Sequence, residues 1–500
     1  MRLKTRWHPP ISPSSGRSFT THLGRLAGFL GAVISAALAP STAHAQLQKD
    51  PTPLPVGIEQ ITEGRVTATI SFLASDELAG RGTGTPEFDI AAAFVASRFR
   101  GAGLEGGGPD GSYFHETVSD QTRTPSDLVF QSSENIPIAH SGLLIAGQDP
   151  FEYSGVVTDI SIDAIKDKDP TPGSLSGVVR GALETSATGS RALSQLLRVA
   201  SQLESSGAKA LLLDAEPDSE WIKLADQARS KPRVEGNARG AASRPNLPIV
   251  LIAPATKLTG DVRLNVPPQI TEKKSMRNVI GLLRGSDPGL SSQAILYSAH
   301  LDHLGTNAKM PVDGIFNGAD DDASGVTAVV TLADAFGAML ERPKRSLLFM
   351  AFWGEESGLL GSKQFVANPS WPLDKIVANV NIEMIGRPEG GARGKIWMTG
   401  WQESNLGSLM NASSSRFGVE IFEHPKFSSM LYRASDNWSF VEKGVVAHSF
   451  SAGSLHPDYH QPDDEWDRLE IPHMTQVIRG LMVGSLPLID GSVTPQASPK

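Results

Sequence analysis

The sequence predicts an α/β fold: a mixed, largely parallel sheet sandwiched by helices, interrupted by a smaller β-rich inserted domain. Three observations predict it. After Asn278, continuous apolar runs of strand length alternate with helical periodicity. Between residues 131 and 270 the pattern changes to short apolar runs separated by turn residues. The 500-residue length suits more than one domain, and 40% hydrophobic with 20% charged residues is ordinary globular composition.

Taken in order, residues 1 to 25 carry Arg2, Lys4, Arg6, Arg17 and Arg25 and no acid. An apolar stretch from Leu26 to Pro40 follows, then the small-x-small site Ala43-His44-Ala45. This order is that of a secretory signal peptide, so residues 1–45 are expected to be removed and the protein exported, to the periplasm or beyond. The apolar run is too short for a comfortable membrane anchor. Removing its five basic residues takes the net charge from −9 to −14. Without a basic excess, nucleic acid is excluded as a partner. Without cysteine, disulfides, thiolate nucleophiles and Cys-based zinc sites are excluded as well.

Residues 46–130 are expected to open the main domain, with a Pro-rich lead-in and then helices over 57–104. Ile90, Ala93, Phe94 and Phe99 recur near helical spacing there. In the inserted domain, 131–270, one helix is expected from Ser194 to Ser205, and the polar stretch from Glu216 to Arg244 reads as a loop. The main domain resumes over 271–490. Strands are expected at 294–299, 345–353, 376–382 and 445–450, with a helix from Ser324 to Leu340. The tail 491–500 reads as disordered.

Acids and histidines cluster where these strands end. The first strand runs into His300-Leu301-Asp302-His303, the second into Gly354-Glu355-Glu356, and the third ends at Glu383. Asp320-Asp321-Asp322 lies between the first strand and its helix. Ligands of open α/β sheets bind beyond the carboxyl ends of the strands. Three adjacent acids repel one another unless a cation neutralises them. In a Cys-free chain, that combination with a late histidine indicates a hydrolytic metal site of nitrogen and oxygen ligands.

The segments SAHLDHLG, NGADDDASGVTAVV, AFWGEESGLLGS, NIEMIGR and YHQPDDEWD resemble, in that order, the co-catalytic zinc exopeptidases. That family comprises secreted bacterial aminopeptidases, glutamate carboxypeptidase and glutaminyl cyclase. The resemblance covers about residues 57–125 and 275–485, and the segment between resembles the protease-associated domain that many members carry. It implies two zinc ions per chain and peptide substrates. By matched position, His300 and Glu383 would bind one zinc, Glu356 and His460 the other, and Asp321 would bridge them. Glu355 would be the general base, Asp302 would orient His300, and Tyr459 would help stabilise the oxyanion. The resemblance also implies a cis Asp321–Asp322 peptide.

His303 and His456 match no ligand position. Asp436 and Arg387 are weaker candidates for substrate contact, and His424, His448 and His473 read as structural. The expected function is a two-zinc aminopeptidase. The alternatives are a carboxypeptidase or dipeptidase of the same fold, a one-zinc glutaminyl-cyclase-like acyltransferase, and a receptor without zinc. Glu383 stands where most such aminopeptidases have Asp. The sequence carries no signal of oligomeric state or of the preferred terminal residue.

Overall fold

The strand Ala294–His300 is buried along its whole length because both its faces are covered. Ile295, Tyr297 and Ala299 enter one hydrophobic core, and Ala294 and Leu296 enter another. Ser346–Phe352 divides the same way, with Leu347, Phe349 and Ala351 on one side and Leu348, Met350 and Phe352 on the other. Alternation between two cores is what removes the period-two polar pattern from such strands.

These features come from a computed structural model that describes residues 55–165, 171–230, 233–235, 245–307, 310 and 312–499. The expected export signal lies outside the described residues. No described helix is long and apolar enough to cross a membrane.

Among the described residues, ten strands form the main sheet. Its centre is parallel: Ile376–Ile382, Ala294–His300 and Ser346–Phe352 lie side by side, with Ala447–Ser451 parallel to Ile376–Ile382. Antiparallel strands flank this centre. Ile270–Leu283 pairs with Ser346–Phe352 and, on its other side, with Phe114–Arg123; Lys395–Met398 pairs with Ala447–Ser451. The expected mixed sheet with a parallel core is therefore present. Helices Glu63–Leu73, Pro86–Gly101, Gly325–Gly337 and Ile471–Ile489 pack into the core of one face. The short helices Leu360–Ala367 and Asn437–Val441 pack into that of the other.

The stretch from Val129 to Val266 builds, among the described residues, two further sheets of five and three strands; they share one hydrophobic cluster, and a second covers the other face of the five-stranded sheet. Its first helix, Gly189–Ser205, starts earlier than the expected Ser194. The expected loop from Glu216 contains a second helix, Glu220–Ser230. Trp221, Leu224 and Ala225 anchor that helix in the module core. Three apolar contacts in an otherwise polar segment are too few to stand out as periodicity.

The tail differs from expectation as well. Arg345 donates to the Val493 carbonyl at 2.8 Å and to Thr494 Oγ1 at 2.7 Å. Ala497 bridges to Ser404, and Ser498 N–H donates to the Glu403 carbonyl at 2.8 Å. Residues 491–499 are thus held by one guanidinium and by backbone pairing, neither of which a hydropathy pattern displays.

His448 on the strand Ala447–Ser451 supplies a test of this packing. It is buried, with Nδ1 2.7 Å from the Thr399 carbonyl and Nε2 2.7 Å from Ser404 Oγ. Burial lowers its pKa to about 4. An unfolded histidine titrates near 6.5. Its contribution to stability is therefore complete above about pH 6.5 and declines as the pH falls to about 4, by up to ~3 kcal/mol. His448→Leu is expected to flatten that part of the acid limb, measured as urea unfolding free energy at pH 7 and pH 4.5. An equal pH 7-to-4.5 loss in variant and parent would remove His448 as the cause.

Candidate metal centre

Each candidate residue sits where an element ends. His300 is the last residue of its strand, Glu383 follows Ile382, and Glu355 and Glu356 follow Phe352 after a two-residue turn. Asp320, Asp321 and Asp322 occupy the irregular turn entering helix Gly325–Gly337. The Asp321–Asp322 peptide is cis, as the resemblance implied. Gly318 makes this turn possible. Its φ is +55°, and a Cβ there would lie 2.3 Å from the Asp321 carbonyl and 2.4 Å from His303 Cγ. His460 arrives from the loop after Ala447–Ser451, at φ +58°.

The side chains converge on Asp321. One oxygen, Oδ1, lies 3.1 Å from His300 Nε2, and the other, Oδ2, lies 3.1 Å from His460 Nε2. His300 Nε2 is also 3.2 Å from Glu383 Oε1, and His460 Nε2 is 3.4 Å from Glu356 Oε1. Two three-residue groups thus share one carboxylate, with the residues in the expected pairing. Donors about 2.0–2.2 Å from a tetrahedral ion stand roughly 3.4 Å apart, close to these spacings. Asp322 also comes within reach of His300 and Glu383. Its oxygens are already committed, however, to the backbone N–H groups of His300, Gly325 and Met384. It holds the turn and is a poor ligand. Nitrogen and oxygen donors in two such groups suit a borderline cation such as zinc.

The electrostatics point the same way. Burial alone would raise the Asp321 carboxyl, but contacts with His300 and His460 outweigh it and hold Asp321 well below the usual range. Burial and Asp321 would raise Glu356, yet His303 and His460 bring it down to about 2. Burial would lower His460, but Asp321 and Glu356 carry it up to about 10. A field that holds a proton so firmly also favours a divalent cation. Glu355 differs: burial, reinforced by Glu383 and Glu356 against the pull of His300, raises it well above the carboxylate range.

Asp302 meets the second ring nitrogen of His300, but through its main chain. His300 Nδ1 meets the Asp302 backbone carbonyl at 2.9 Å, while the carboxylate stands 4.0 Å away. That carboxylate instead accepts the Glu355 backbone N–H at 3.1 Å and the Thr83 hydroxyl at 2.6 Å. It therefore positions the segment bearing Glu355 and Glu356. Tyr459 stacks on the His460 ring, with centroids 3.9 Å apart, and lines the adjoining pocket.

Three contributors were missed or misread. His303 Nδ1 lies 2.8 Å from Glu356 Oε1, so this histidine borders the centre. Its place in His-Leu-Asp-His was the available signal. Arg387 pairs with Asp458 at 2.6 Å and Asp464 at 3.4 Å and steadies the His460 loop, so its guanidinium is engaged within the protein. Asp464 in turn accepts the backbone N–H groups of Asp320 and Asp321, each at 3.1 Å. Of the remaining candidates, His456 faces Asp320 at 3.3 Å. Asp436 is fully buried. His424 pairs with Glu389, and His473 accepts from Gly394 N–H.

A pocket of about 90 Å³ opens beside the centre. Asp321, Glu355, Glu383 and His460 form one side, and Trp397, Phe427, Leu431, Met384 and Leu455 supply apolar surface.

Residues 278–482 match the model of Peptidase family M28. Leucine aminopeptidase 1 of Arthroderma otae is 29% identical over 215 residues, which is 39% of this chain and 54% of that protein. A probable zinc metalloprotease of Pyrenophora teres f. teres is 35% identical over 115 residues, 22% of this chain and 23% of that protein. The chain spans about half or less of the length of these curated relatives. Among solved structures, the zinc aminopeptidase BSAP from Bacillus subtilis has a TM-score of 0.55 at 18% identity, covering 88% of this chain and 97% of that one. The aminopeptidase from Aneurinibacillus sp. strain AM-1 has a TM-score of 0.54 at 18% identity, covering 89% and 96%. These likenesses bear out the expected fold, and the family match bears out the resemblance read from the motifs.

The shared carboxylate makes a selective prediction. Asp321→Ala is expected to weaken zinc retention at both groups, whereas Glu383→Ala weakens only the His300 group, each by at least roughly 100-fold. Zinc content after dialysis against graded chelator tests this. Two tightly held zincs in Glu383→Ala would exclude Glu383 as a ligand.

Proposed function

We propose that this protein is a two-zinc aminopeptidase that removes N-terminal residues with apolar side chains from peptides. The observation that carries the reading is Asp321, whose two oxygens face two histidines beside Glu355 at the mouth of an apolar pocket. Zinc held by His300–Asp321–Glu383 and by His460–Asp321–Glu356 would polarise the scissile carbonyl and bring the pKa of water near neutrality.

The chain's own residues do the rest. Glu355 Oε takes a proton from the attacking water and returns it to the leaving amine, a role its raised pKa suits. Asp302 keeps Glu355 in place through the backbone N–H. Burial and the surrounding acids raise the Tyr459 pKa, so its hydroxyl stays protonated and can donate to the developing oxyanion.

Aminopeptidase action is favoured over carboxypeptidase action by the pocket itself. Among the described residues its lining includes Asp321, Glu355 and Glu383 but no lysine or arginine, and Arg387 is engaged by Asp458 and Asp464. Such a pocket attracts a terminal ammonium and disfavours a terminal carboxylate. The names of the leucine aminopeptidase relatives agree with an apolar first side chain. Export by residues 1–45 belongs to the same proposal, as does a protease-associated role for the Val129–Val266 module.

Two measurements test this reading. Glu355→Gln is expected to lower kcat on leucyl-arylamide about 10²–10⁴-fold while zinc content stays unchanged. Retention of more than a tenth of the activity would remove Glu355 as the base. Trp397→Ala enlarges the pocket, and the Phe-to-Leu ratio of kcat/KM on arylamides is expected to rise about tenfold. An unchanged ratio would place the first side chain elsewhere.

A further inference from the structure

A second cavity lies away from the metal centre, on the ribbon formed by Phe114–Arg123 and Ile270–Leu283. In the register of this ribbon Arg123 is opposite Ile270, Gln121 opposite Glu272, and Lys274 opposite Ser119. Alternation places Gln121, Arg123, Ile270, Glu272 and Lys274 on one face. The turn 84–86, which starts helix Pro86–Gly101, covers that face and leaves a cavity of about 370 Å³.

The chemistry of its walls is that of an anion site. Gln121 is only 6% exposed and lines the cavity, and no side-chain hydrogen bond engages its amide among the described residues. Buried amides are normally paired, so this one is available to a ligand. Arg123 and Lys274 have no ion-pair partner among the described residues, and Glu272 is the single acid in the lining. Gly84, at φ +77°, lets the backbone come close: a Cβ there would lie 2.8 Å from Gln121 Nε2. Behind it stands the N-terminus of a 16-residue helix, whose dipole favours negative charge.

Its position relates it to the metal centre. One residue before Gly84, the Thr83 hydroxyl donates to Asp302, and Gly82 bridges to His303. The apolar pocket draws no lining from residues 81–123, so it occupies a different flank of the centre. Residues 82–84 thus run from the wall of the metal centre to the wall of the cavity.

We propose that the cavity binds the terminal carboxylate of a short peptide substrate, so that Gln121, Arg123 and Lys274 select for peptides with a free C-terminus. This rests on the aminopeptidase reading, and the experiment separates the two. The zinc-loaded full chain is assayed on leucyl peptides of two to five residues, each as the free acid and as the C-terminal amide. At one length the acid is expected to exceed the amide roughly tenfold in kcat/KM, the effect of a charge-assisted contact. The ratio is expected to fall toward one in the Arg123→Gln/Lys274→Gln double variant. Equal rates for acids and amides at every length, or a ratio that survives the double variant, would overturn the proposal.

Calorimetry with N-acetylated peptides of the same lengths provides a measurement independent of turnover. Binding of the acid but not the amide, lost in the double variant, supports the site even if arylamide hydrolysis fails. Equal binding of both overturns it. Acetate and phosphate form a further arm: binding of these ions by the parent chain without any preference for peptide acids would mean a free-anion site, and would overturn the peptide assignment.

Discussion

The concentration of acid at one buried sheet edge is the constraint on which the rest of the structure depends. Asp302, Asp320, Asp321, Asp322 and Asp464 are all buried there, with Glu355, Glu356 and Glu383 beside them. Such a cluster stands only if each charge is answered. Backbone N–H groups answer Asp322 and Asp464, and histidines answer Asp321 and Glu356. Arg81 answers the group as a whole. It is 0% exposed, and its guanidinium donates to the carbonyls of Leu73, Leu301, Asn317 and Gly318. Burial lowers its pKa to about 10 while Asp302, Asp322, Asp321 and Asp464 oppose the change, so it remains charged at neutral pH. With all three guanidinium nitrogens engaged by main chain, Arg81 ties the helix Glu63–Leu73 to the segments bearing Asp302 and the acidic turn. Its charge acts on the acids from within the fold, without contacting their carboxylates.

The same logic explains the polar residues within apolar strands. Ser298 accepts from Asn379 at 2.8 Å and donates to Asn381 Oδ1 at 2.7 Å. That fixes the Asn381 amide, whose Nδ2 then faces Glu383 Oε2 at 3.1 Å and Ser435 Oγ at 3.0 Å. Ser435 also donates to Glu383 Oε2. One oxygen of Glu383 is thereby held from behind, and Oε1 is left toward His300. The longer arm of Glu relative to Asp is absorbed by this clamp, which consists of hydroxyl and amide groups the core would otherwise have no reason to bury.

How much of this was legible follows from where each signal lies along the chain. Strand–loop–helix periodicity and the acids at strand ends are local, so the parallel core, His300, Asp321, Glu355, Glu356, Glu383 and His460 could be read in order. The contacts that orient them are not local. Arg81 stands some 220 residues from Leu301 and lies among glycines and threonines that look like a plain turn. The role of Asp302 depended on which of its oxygens, carboxylate or carbonyl, met His300, and no spacing rule decides that. Helix Glu220–Ser230 and the held tail were hidden for a related reason: a few anchoring contacts, by Trp221 in one case and Arg345 in the other, overrode polar composition.

The His460 loop shows how these constraints reach function. Four of the five candidate ligands sit at the ends of strands or in the turn entering a core helix, but His460 follows a loop and has a left-handed backbone. Its position is set by charge. Arg387, five residues beyond Ile382, pairs with Asp458 and Asp464, and Arg468 pairs with Asp458 and Asp463. Asp464 accepts from the backbone of the acidic turn, so the same carboxylate that stabilises Asp320 and Asp321 also fastens the loop that delivers His460 to Asp321. The second histidine is therefore placed by the electrostatics of the first acid cluster. The loop and the turn form one unit, in which moving either displaces the carboxylate that the two groups share.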